Sequence, residues 1–433
     1  GGGAAARSYV RLLEHLEVPL SLRDVSDLSV NRSGDTSLGR FHQTHDHPVN
    51  LVCVNADQHF VVRRQDPAFF EDRYNIGVWW WELPTFPEEW RDRFAEYDEI
   101  WAGTSFIATT LAPISPVPVV RVPPLFGDHH PGDRAAGRAR LGVAPDEFVF
   151  LFLFDFHSYA ERKNPLAVVE AFRRATAPGD RARLVLKFVN SASDAEGHAR
   201  LAAAAAEDPR IVLLDGYVAH DEIDDLMAAC DSYVSLHRAE GLGLTMAHAM
   251  AEGKPVIATG WSGNTDFMDA SNSLLVRFDL QHLDEDHGPY KAGSTWAEPD
   301  VDHAAALMRH LMDHPEEARA LGAAAREDLG RRFSVEEVAA TVAARLEVVA
   351  SRTSATRRPV PVLEPRHAGN AALMAAVRPI VAAQAADGRP VVVISKGDEV
   401  LMERNRLSII LVGVEGLTSV YPVRPSRASK TTS

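Results

Sequence analysis

Cysteine is nearly absent from this chain: Cys53 and Cys230 are the only two in 433 residues. That excludes a disulfide framework and leaves no Cys/His spacing for structural zinc. An excess of positive charge is lacking as well. The formal net charge is −15, whereas affinity for nucleic acid rests largely on Lys and Arg contacts to phosphate. The same balance speaks against a protein held to anionic lipid by general basicity. No apolar run approaches the ~18 residues of a membrane-spanning helix, and no secretory signal opens the chain. With no strong membrane signal, a cytoplasmic location is expected. No solenoid-type repeat is visible. The chain opens on Gly1-Gly2-Gly3 without a methionine, and it reads as a fragment or a processed chain.

What is present is a globular composition, 46% hydrophobic and 24% charged. The length leads one to expect two domains. Gly1 to Ser8, running into Tyr9, reads either as a glycine loop opening a helix or as an added tail before one. Over residues 1–130, Val18–Leu22, Asn50–Asn55, Asn75–Trp81, Glu99–Ala102 and Val117–Val122 read as strands between helical segments. Near-continuous apolar strands with helical connections predict a parallel sheet covered on both faces. Pro123-Pro124 and the polar stretch 127–132 read as a linker. A second α/β unit spans 131–350. Its strands are expected at Phe148–Phe154, Arg183–Val189, Ile211–Asp215, Tyr233–Leu236 and Pro255–Thr259, with closing helices near 303–313 and 335–350. Residues 351–433 read as a linker and tail. They comprise a polar stretch at 351–370, a helix at 371–385, apolar runs at Val391–Ile394 and Leu407–Leu411, and a basic Ser/Thr-rich end.

The most informative stretch is Ser235-Leu-His-Arg-Ala-Glu240-Gly-Leu-Gly-Leu244-Thr-Met-Ala-His248. A strand precedes it, and Leu244–Glu252 reads as a helix stopped by Gly253 with Pro255 beyond. Gly241 and Gly243, with Leu242 between them, let backbone N–H groups approach an anion, and the helix N-terminus adds its dipole. Glu240, at the strand tip, makes poor sense as a phosphate ligand and good sense as an acceptor for sugar hydroxyls. Phosphate and hydroxyls together point to a nucleotide sugar.

A second stretch, Asp155-Phe-His-Ser158-Tyr-Ala-Glu-Arg162-Lys163-Asn164-Pro165, ends a strand and opens a helix. Two cations beside a helix start suit a diphosphate. A third, Thr259-Gly260-Trp-Ser262-Gly263-Asn264-Thr-Asp266-Phe-Met268, follows a strand and faces the same side of the sheet. Asn264 reads either as a ligand for a sugar hydroxyl or as a former of the turn. Gly216-Tyr217 follows another strand, and Lys187 and Asn190 end a third. Binding and strand-end packing are both open to these residues. No Asp-x-Asp pair stands at a strand end, so no metal and no cofactor are expected.

Together these stretches resemble the signature of retaining glycosyltransferase family 4, which has the GT-B fold. The pattern is a Glu, then Gly-Phe-Gly-Leu, and a second Glu eight positions after the first. Here Leu242 stands for the Phe and His248 for the second Glu. The resemblance covers roughly residues 1–350. It implies an α/β chain of two Rossmann-like parallel-sheet domains facing a central cleft. Residues 1–130 would be the acceptor-side domain, lacking its first strand ahead of Gly1. Residues 131–350 would be the nucleotide-sugar-binding domain, with 335–350 crossing back onto the first.

The resemblance further implies transfer of a hexose-type sugar, with retention and without metal, from a nucleotide diphosphate sugar to a sugar, glycan or small-molecule acceptor. Glu240 would orient the donor sugar, and Lys163 and Arg162 would neutralise the leaving diphosphate. Ser158, Tyr217, Gly241, Leu242, Gly243, Leu244, Gly263 and Asn264 would line the donor. His248 would meet the ribose through a ring nitrogen, and a Glu at that position is expected to hold it more tightly. Trp79-Trp80-Trp81-Glu82-Leu-Pro84 and Thr104-Ser105-Phe106 match the same subgroup, which makes Glu82 and Trp81 the acceptor candidates. Two rival readings exist. One is a catalytically weak or inactive sugar-nucleotide-binding protein, motivated by His248 and the tail. The other is a Rossmann dehydrogenase using Gly1, Gly3, Ala6 and Asp24, which leaves the 155–165 and 240–268 stretches unexplained.

Overall fold

A computed structural model of the chain describes residues 2–24, 38, 47–66, 68–126, 131–356 and 407–411. The expected helix at 371–385, the run at 391–394, the basic end and most of the two linker stretches lie outside the described residues.

The chain begins with α1 (Gly2–His15), β1 (Leu20–Asp24), β2 (Val49–Cys53), α2 (Phe60–Gln65), β3 (Tyr74–Trp79), β4 (Glu99–Ala102), α3 (Ser105–Leu111) and β5 (Val119–Arg121). It continues with α4 (Arg134–Leu141), β6 (Phe148–Asp155), α5 (Ala160–Lys163), α6 (Pro165–Ala175), β7 (Ala182–Val189), α7 (Ala195–Ala206), β8 (Ile211–Asp215) and α8 (His220–Ala229). Then come β9 (Ser232–Ser235), α9 (Leu244–Ala251), β10 (Val256–Thr259), β11 (Leu274–Val276), β12 (Phe278–His282) and β13 (Thr295–Pro299). Helices α10 (Val301–Asp313), α11 (Pro315–Arg332) and α12 (Val335–Thr356) follow, and β14 (Leu407–Leu411) is last.

The first sheet has the strand order β1-β14-β2-β3-β4-β5. Helix α1 forms because Ala5, Ala6, Tyr9, Val10, Leu12 and Leu13 recur at helical spacing, and all are buried. Gly2 and Gly3 already lie inside it, so the glycines open the helix instead of preceding it. The strand expected ahead of α1 has a counterpart in the sheet. Residues 407–411 pair in parallel with β1 on one side and β2 on the other.

By contacts the chain divides into two units. One is Gly1–Trp79 with Ala95–Ile100 and Ala339–Ser433, and the other is Trp80–Phe94 with Trp101–Val338. The division follows packing, not the Pro123-Pro124 stretch. The first unit takes in α12 from Ala339 onward. Within that unit the fully buried Glu99 accepts hydrogen bonds from Arg345 Nε at 2.9 Å and Tyr74 Oη at 2.9 Å.

The second unit contains a six-stranded sheet of order β11-β10-β9-β6-β7-β8, parallel throughout. The run Phe148–Phe154 has no polar alternation because this strand is covered on both faces, and Val149 to Phe154 are all buried. Strand β6 lies between β7 and β9, so the connections leave it in both directions. The carboxyl ends of β6 and β9 therefore flank a topological switch point, where open α/β sheets bind ligands. Strands β12 and β13 form a separate antiparallel hairpin.

Two glycines in α11 carry opposite expectations. A Cβ at Gly322 would lie 2.0 Å from the carbonyl oxygen of Gly253, whereas one at Gly330 meets nothing within 4 Å. Gly322→Ala is expected to destabilise by about 1–3 kcal/mol through overpacking, and Gly330→Ala to stabilise by up to about 1 kcal/mol. Chemical denaturation of both variants checks the pair.

Candidate active site

The two loops at the switch point are tied together by charge. Lys163, at the end of α5, forms an ion pair and hydrogen bond with Glu240 Oε1. Arg162 is buried and donates from Nη1 to the carbonyl of Ala239 at 2.7 Å and from Nε to that of Ser158 at 3.2 Å. Its guanidinium also lies 3.5 Å from Glu240 Oε2 and 3.9 Å from Glu82 Oε1. Burial opposes ionisation of Glu240, but Lys163, Arg162 and His237 outweigh it and hold the carboxyl down to about 2. Three of the expected residues, Glu240, Lys163 and Arg162, thus meet in one cluster, with Glu82 at its edge.

Local geometry explains why the glycines stand where they do. Gly243 caps α9 with φ +93°, a left-handed conformation that favours glycine. As cap it brings no side-chain hydrogen bond to the helix start, and a helix N-terminus of that kind can meet an anion. Gly263 donates its N–H to the carbonyl of Glu240 at 2.8 Å, and a Cβ there would lie 2.0 Å from the carbonyl oxygen of Gly241. The 262–266 turn can therefore rest directly on the 240–243 turn. Thr104 Oγ1 holds the carbonyl of Gly241 at 2.9 Å, and Ser262 Oγ accepts from the Glu240 N–H at 2.8 Å. Asp266 is anchored in turn by the Ser105 N–H and by Arg121 Nε, both at 2.8 Å.

Asn264 is wholly buried. Its Nδ2 donates to the carbonyl of Thr259 at 3.0 Å and its Oδ1 meets His237 Nε2 at 3.1 Å. Of the two readings open for it, this geometry corresponds to the former of the turn. Leu242 is buried, and Leu244 is partly exposed at the helix start. Ser158 is partly buried and serves Arg162 through its carbonyl.

At the carboxyl ends of β6, β7 and β8 a polar chain forms. Tyr217 Oη donates to Asn190 Oδ1 at 3.0 Å, and Asn190 Nδ2 donates to Asp155 Oδ1 at 2.8 Å. The Tyr217 ring is 53% exposed. Lys187 is buried and bonds the carbonyls of Gly216 and Phe188, so it staples strand ends together.

Two expected residues lie elsewhere than in the charged cluster. His248 is buried in α9 with Nε2 3.3 Å from the carboxylate of Asp224, itself buried on α8. Trp81 is buried among Phe86, Trp90 and Tyr290, and its Nε1 donates to the carbonyl of Thr85 at 2.7 Å. Asp224, His237 and Tyr290 escaped the sequence reading. Each stands outside a glycine-rich turn or has an apolar neighbourhood, where the default for a His or Tyr is the core.

His237 has no exposure, and its Nδ1 lies 3.0 Å from Ser235 Oγ. Its other nitrogen faces the oxygens of Asn264 and Trp261, so that nitrogen carries the proton and Nδ1 accepts from Ser235. Burial pushes its pKa below 6.5, the ordinary value. The unfolded chain then binds a proton near pH 6.5 that the folded chain resists, so stability is lost as pH falls below about 6.5. A His237→Gln variant is expected to be less stable at pH 7.5 and to lose less Tm between pH 7.5 and 5.5 than the parent. Melting curves across that range check it.

Residues 147–285 match the family Glycosyl transferases group 1. Over 202 residues the chain is 31% identical to a D-inositol 3-phosphate glycosyltransferase of Actinosynnema mirum, covering 42% of this chain and 46% of that relative. It is 25% identical over 202 residues to the trehalose synthase of Pyrococcus horikoshii, covering 45% and 43%. The chain therefore spans less than half the length of these curated relatives. Among solved structures, Anabaena Alr3699/HepE in complex with UDP-glucose has a TM-score of 0.55 at 16% identity, over 70% of this chain and 79% of that one. Sucrose-phosphate synthase from Thermosynechococcus elongatus gives 0.53 at 19% identity, over 70% and 74%. At these identities the structures speak for the fold, which is GT-B. Residues 147–285, which hold Lys163, Arg162 and Glu240, are thus similar to glycosyl transferases group 1, and the chain has the GT-B fold.

Proposed function

We propose that the chain is a retaining, metal-independent hexosyltransferase that moves a sugar from a nucleotide diphosphate donor to a hydroxyl acceptor in the cytoplasm. The observation that carries the reading is the Lys163–Glu240 pair at the switch point, beside a helix capped by glycine. No described helix is long and apolar enough to cross a membrane.

The resting site is self-neutralised. A donor diphosphate competes with Glu240 for Lys163, and the released carboxylate turns to the hydroxyls of the donor sugar. Arg162, held by two backbone carbonyls, contributes its charge from a fixed place. Lys163 and the first N–H groups of α9 stabilise negative charge as the glycosidic bond to phosphate breaks. In front-face substitution the departing diphosphate oxygen takes the acceptor proton, so no protein nucleophile is required. The exposed Tyr217 ring offers a stacking face for the nucleobase. Glu82, with 21% of its side chain exposed, is the acceptor-side carboxylate.

The His248–Asp224 contact favours the rival reading of a weak or inactive nucleotide-sugar binder, because it engages the side chain expected at the ribose. A thermal-shift panel of nucleotide sugars, followed by product analysis with and without a strong chelator, separates the two. Transfer with retained anomeric configuration in the presence of chelator supports hexosyl transfer. Binding without any turnover favours the rival, and an inverted product defeats the mechanism.

Lys163→Ala is expected to weaken nucleoside diphosphate binding by about 1.5–3 kcal/mol, read by calorimetry. Glu240→Gln is expected to lower turnover far more than diphosphate affinity, since its partners are sugar hydroxyls that the free diphosphate lacks. His248→Glu reverses the expectation drawn from sequence. It sets a second carboxylate against the buried Asp224, and such pairs repel at low effective dielectric. Lower Tm and weaker donor binding at neutral pH are expected, and tighter binding would refute this.

A further inference from the structure

The hairpin loop between β12 and β13 reaches the charged cluster through one side chain. Tyr290 donates its O–H to Glu82 Oε2 at 3.1 Å, and its ring lies 5.8 Å from the Arg162 guanidinium carbon. The residue is buried against Trp81 and Tyr159, with ring centroids 5.5 Å and 5.4 Å away. Burial raises the phenol well above its ordinary range, so it remains a hydrogen-bond donor.

The loop is built to hold that position. His287 and Tyr290 exchange backbone hydrogen bonds, and the His287 ring stacks on Trp296 at 5.3 Å. Asp286 bonds both Lys291 Nζ and the Ala292 N–H, at 3.1 Å and 2.8 Å. Gly288 adopts φ +60°, and a Cβ there would lie 2.1 Å from the Tyr159 ring. The loop therefore presses on Tyr159 at a point where only glycine fits. Tyr290 and Glu82 both lie outside the 147–285 segment that matches the family.

The consequence concerns charge. Arg162 lies between two carboxylates, Glu240 and Glu82, while Lys163 is paired to Glu240. A donor diphosphate adds further negative charge. Beside Glu82, a phosphorylated or carboxylated acceptor would meet like charge, and among the described residues of the cluster both cations already face carboxylates. An uncharged polyol meets a carboxylate that accepts its hydroxyl protons. We infer that Tyr290 is a positioning residue that aims the Glu82 carboxylate at an uncharged polyhydroxyl acceptor. This inference rests on the glycosyl-transfer reading above.

The test uses the full chain, the nucleotide sugar selected by the thermal-shift panel, and three uncharged probes: D-glucose, N-acetyl-D-glucosamine and myo-inositol. Glucose 6-phosphate serves as the charged comparison. Transfer to at least one uncharged probe is expected, with glucose 6-phosphate poorer than glucose. Tyr290→Phe keeps the ring over Arg162 and loses only the O–H. It should raise the acceptor KM on the order of tenfold, as expected for a hydrogen bond to a charged group. The calorimetric Kd for the nucleoside diphosphate should stay within about twofold, and the melting temperature should be retained. Tyr290→Leu, which also removes the ring, separates loss of folding from loss of aim by its lower Tm. An unchanged acceptor KM in Tyr290→Phe, a parallel loss of diphosphate affinity, or a preference for glucose 6-phosphate overturns the inference alone. So does a parent that binds a donor and uses none of the uncharged probes. A parent that binds no nucleotide sugar defeats the glycosyl-transfer reading and this one with it.

Discussion

A single buried guanidinium organises the switch point. Arg162 bonds the carbonyl of Ala239 in one loop and that of Ser158 in its own, and it faces the carboxylates of Glu240 and Glu82. Removing such a group would leave the buried Glu240 with Lys163 as its one close cation, beyond the loss of the hydrogen bonds themselves. The second loop is fixed in the same region by uncharged means. Gly263 lies on Gly241, and Asn264 is locked between Thr259 and His237. Charge sets the positions of Lys163, Glu240 and Glu82, and close backbone contact sets the turn ahead of α9.

Much of this was legible in the sequence, for identifiable reasons. The fully apolar run Phe148–Phe154 can only be a strand covered on both faces, and it is. Glu240 before Gly241-Leu-Gly243 could be placed because a left-handed glycine at a helix start leaves few alternatives. Arg162 and Lys163 were legible as two cations beside a helix start, suited to a diphosphate, but their pairing with Glu240 was not. The fate of His248 was not legible. Its partner Asp224 sits on a different helix at no fixed sequence offset, so only tertiary packing joins them. Tyr290 was hidden for a similar reason: it is separated from Glu82 by 208 positions. The parallel pairing of residues 407–411 with β1 and β2 was also out of reach, because a short Leu/Ile run carries no information on which sheet will take it.

The tryptophan-rich stretch offers a lesson on aromatic residues beside a charged cluster. Trp79 and Trp81 are buried, and Trp81 lies in a cluster with Leu83, Leu283 and Trp296. Its neighbour in sequence, Glu82, keeps a route to solvent. The hydrophobic side chains anchor the segment, and the one acid between them is thereby held at a set depth. A carboxylate flanked by a buried indole and a buried leucine loses little freedom when it engages a partner, because that entropy was lost on folding.

The β12–β13 hairpin has a consequence for how such a molecule can diversify. Its loop lies largely beyond the family-matched segment, which ends at residue 285, and the Lys163–Glu240 pair lies within it. The two regions meet where Tyr290 and Glu82 approach Arg162 and where the loop packs on Tyr159. Insertions, deletions or exchanges in the loop can therefore redraw the wall beside Glu82 while the glycine turns and their cations stay as they are. A chain arranged in this way can explore new partners by editing about a dozen residues of a surface hairpin, without disturbing the Lys163–Glu240 pair.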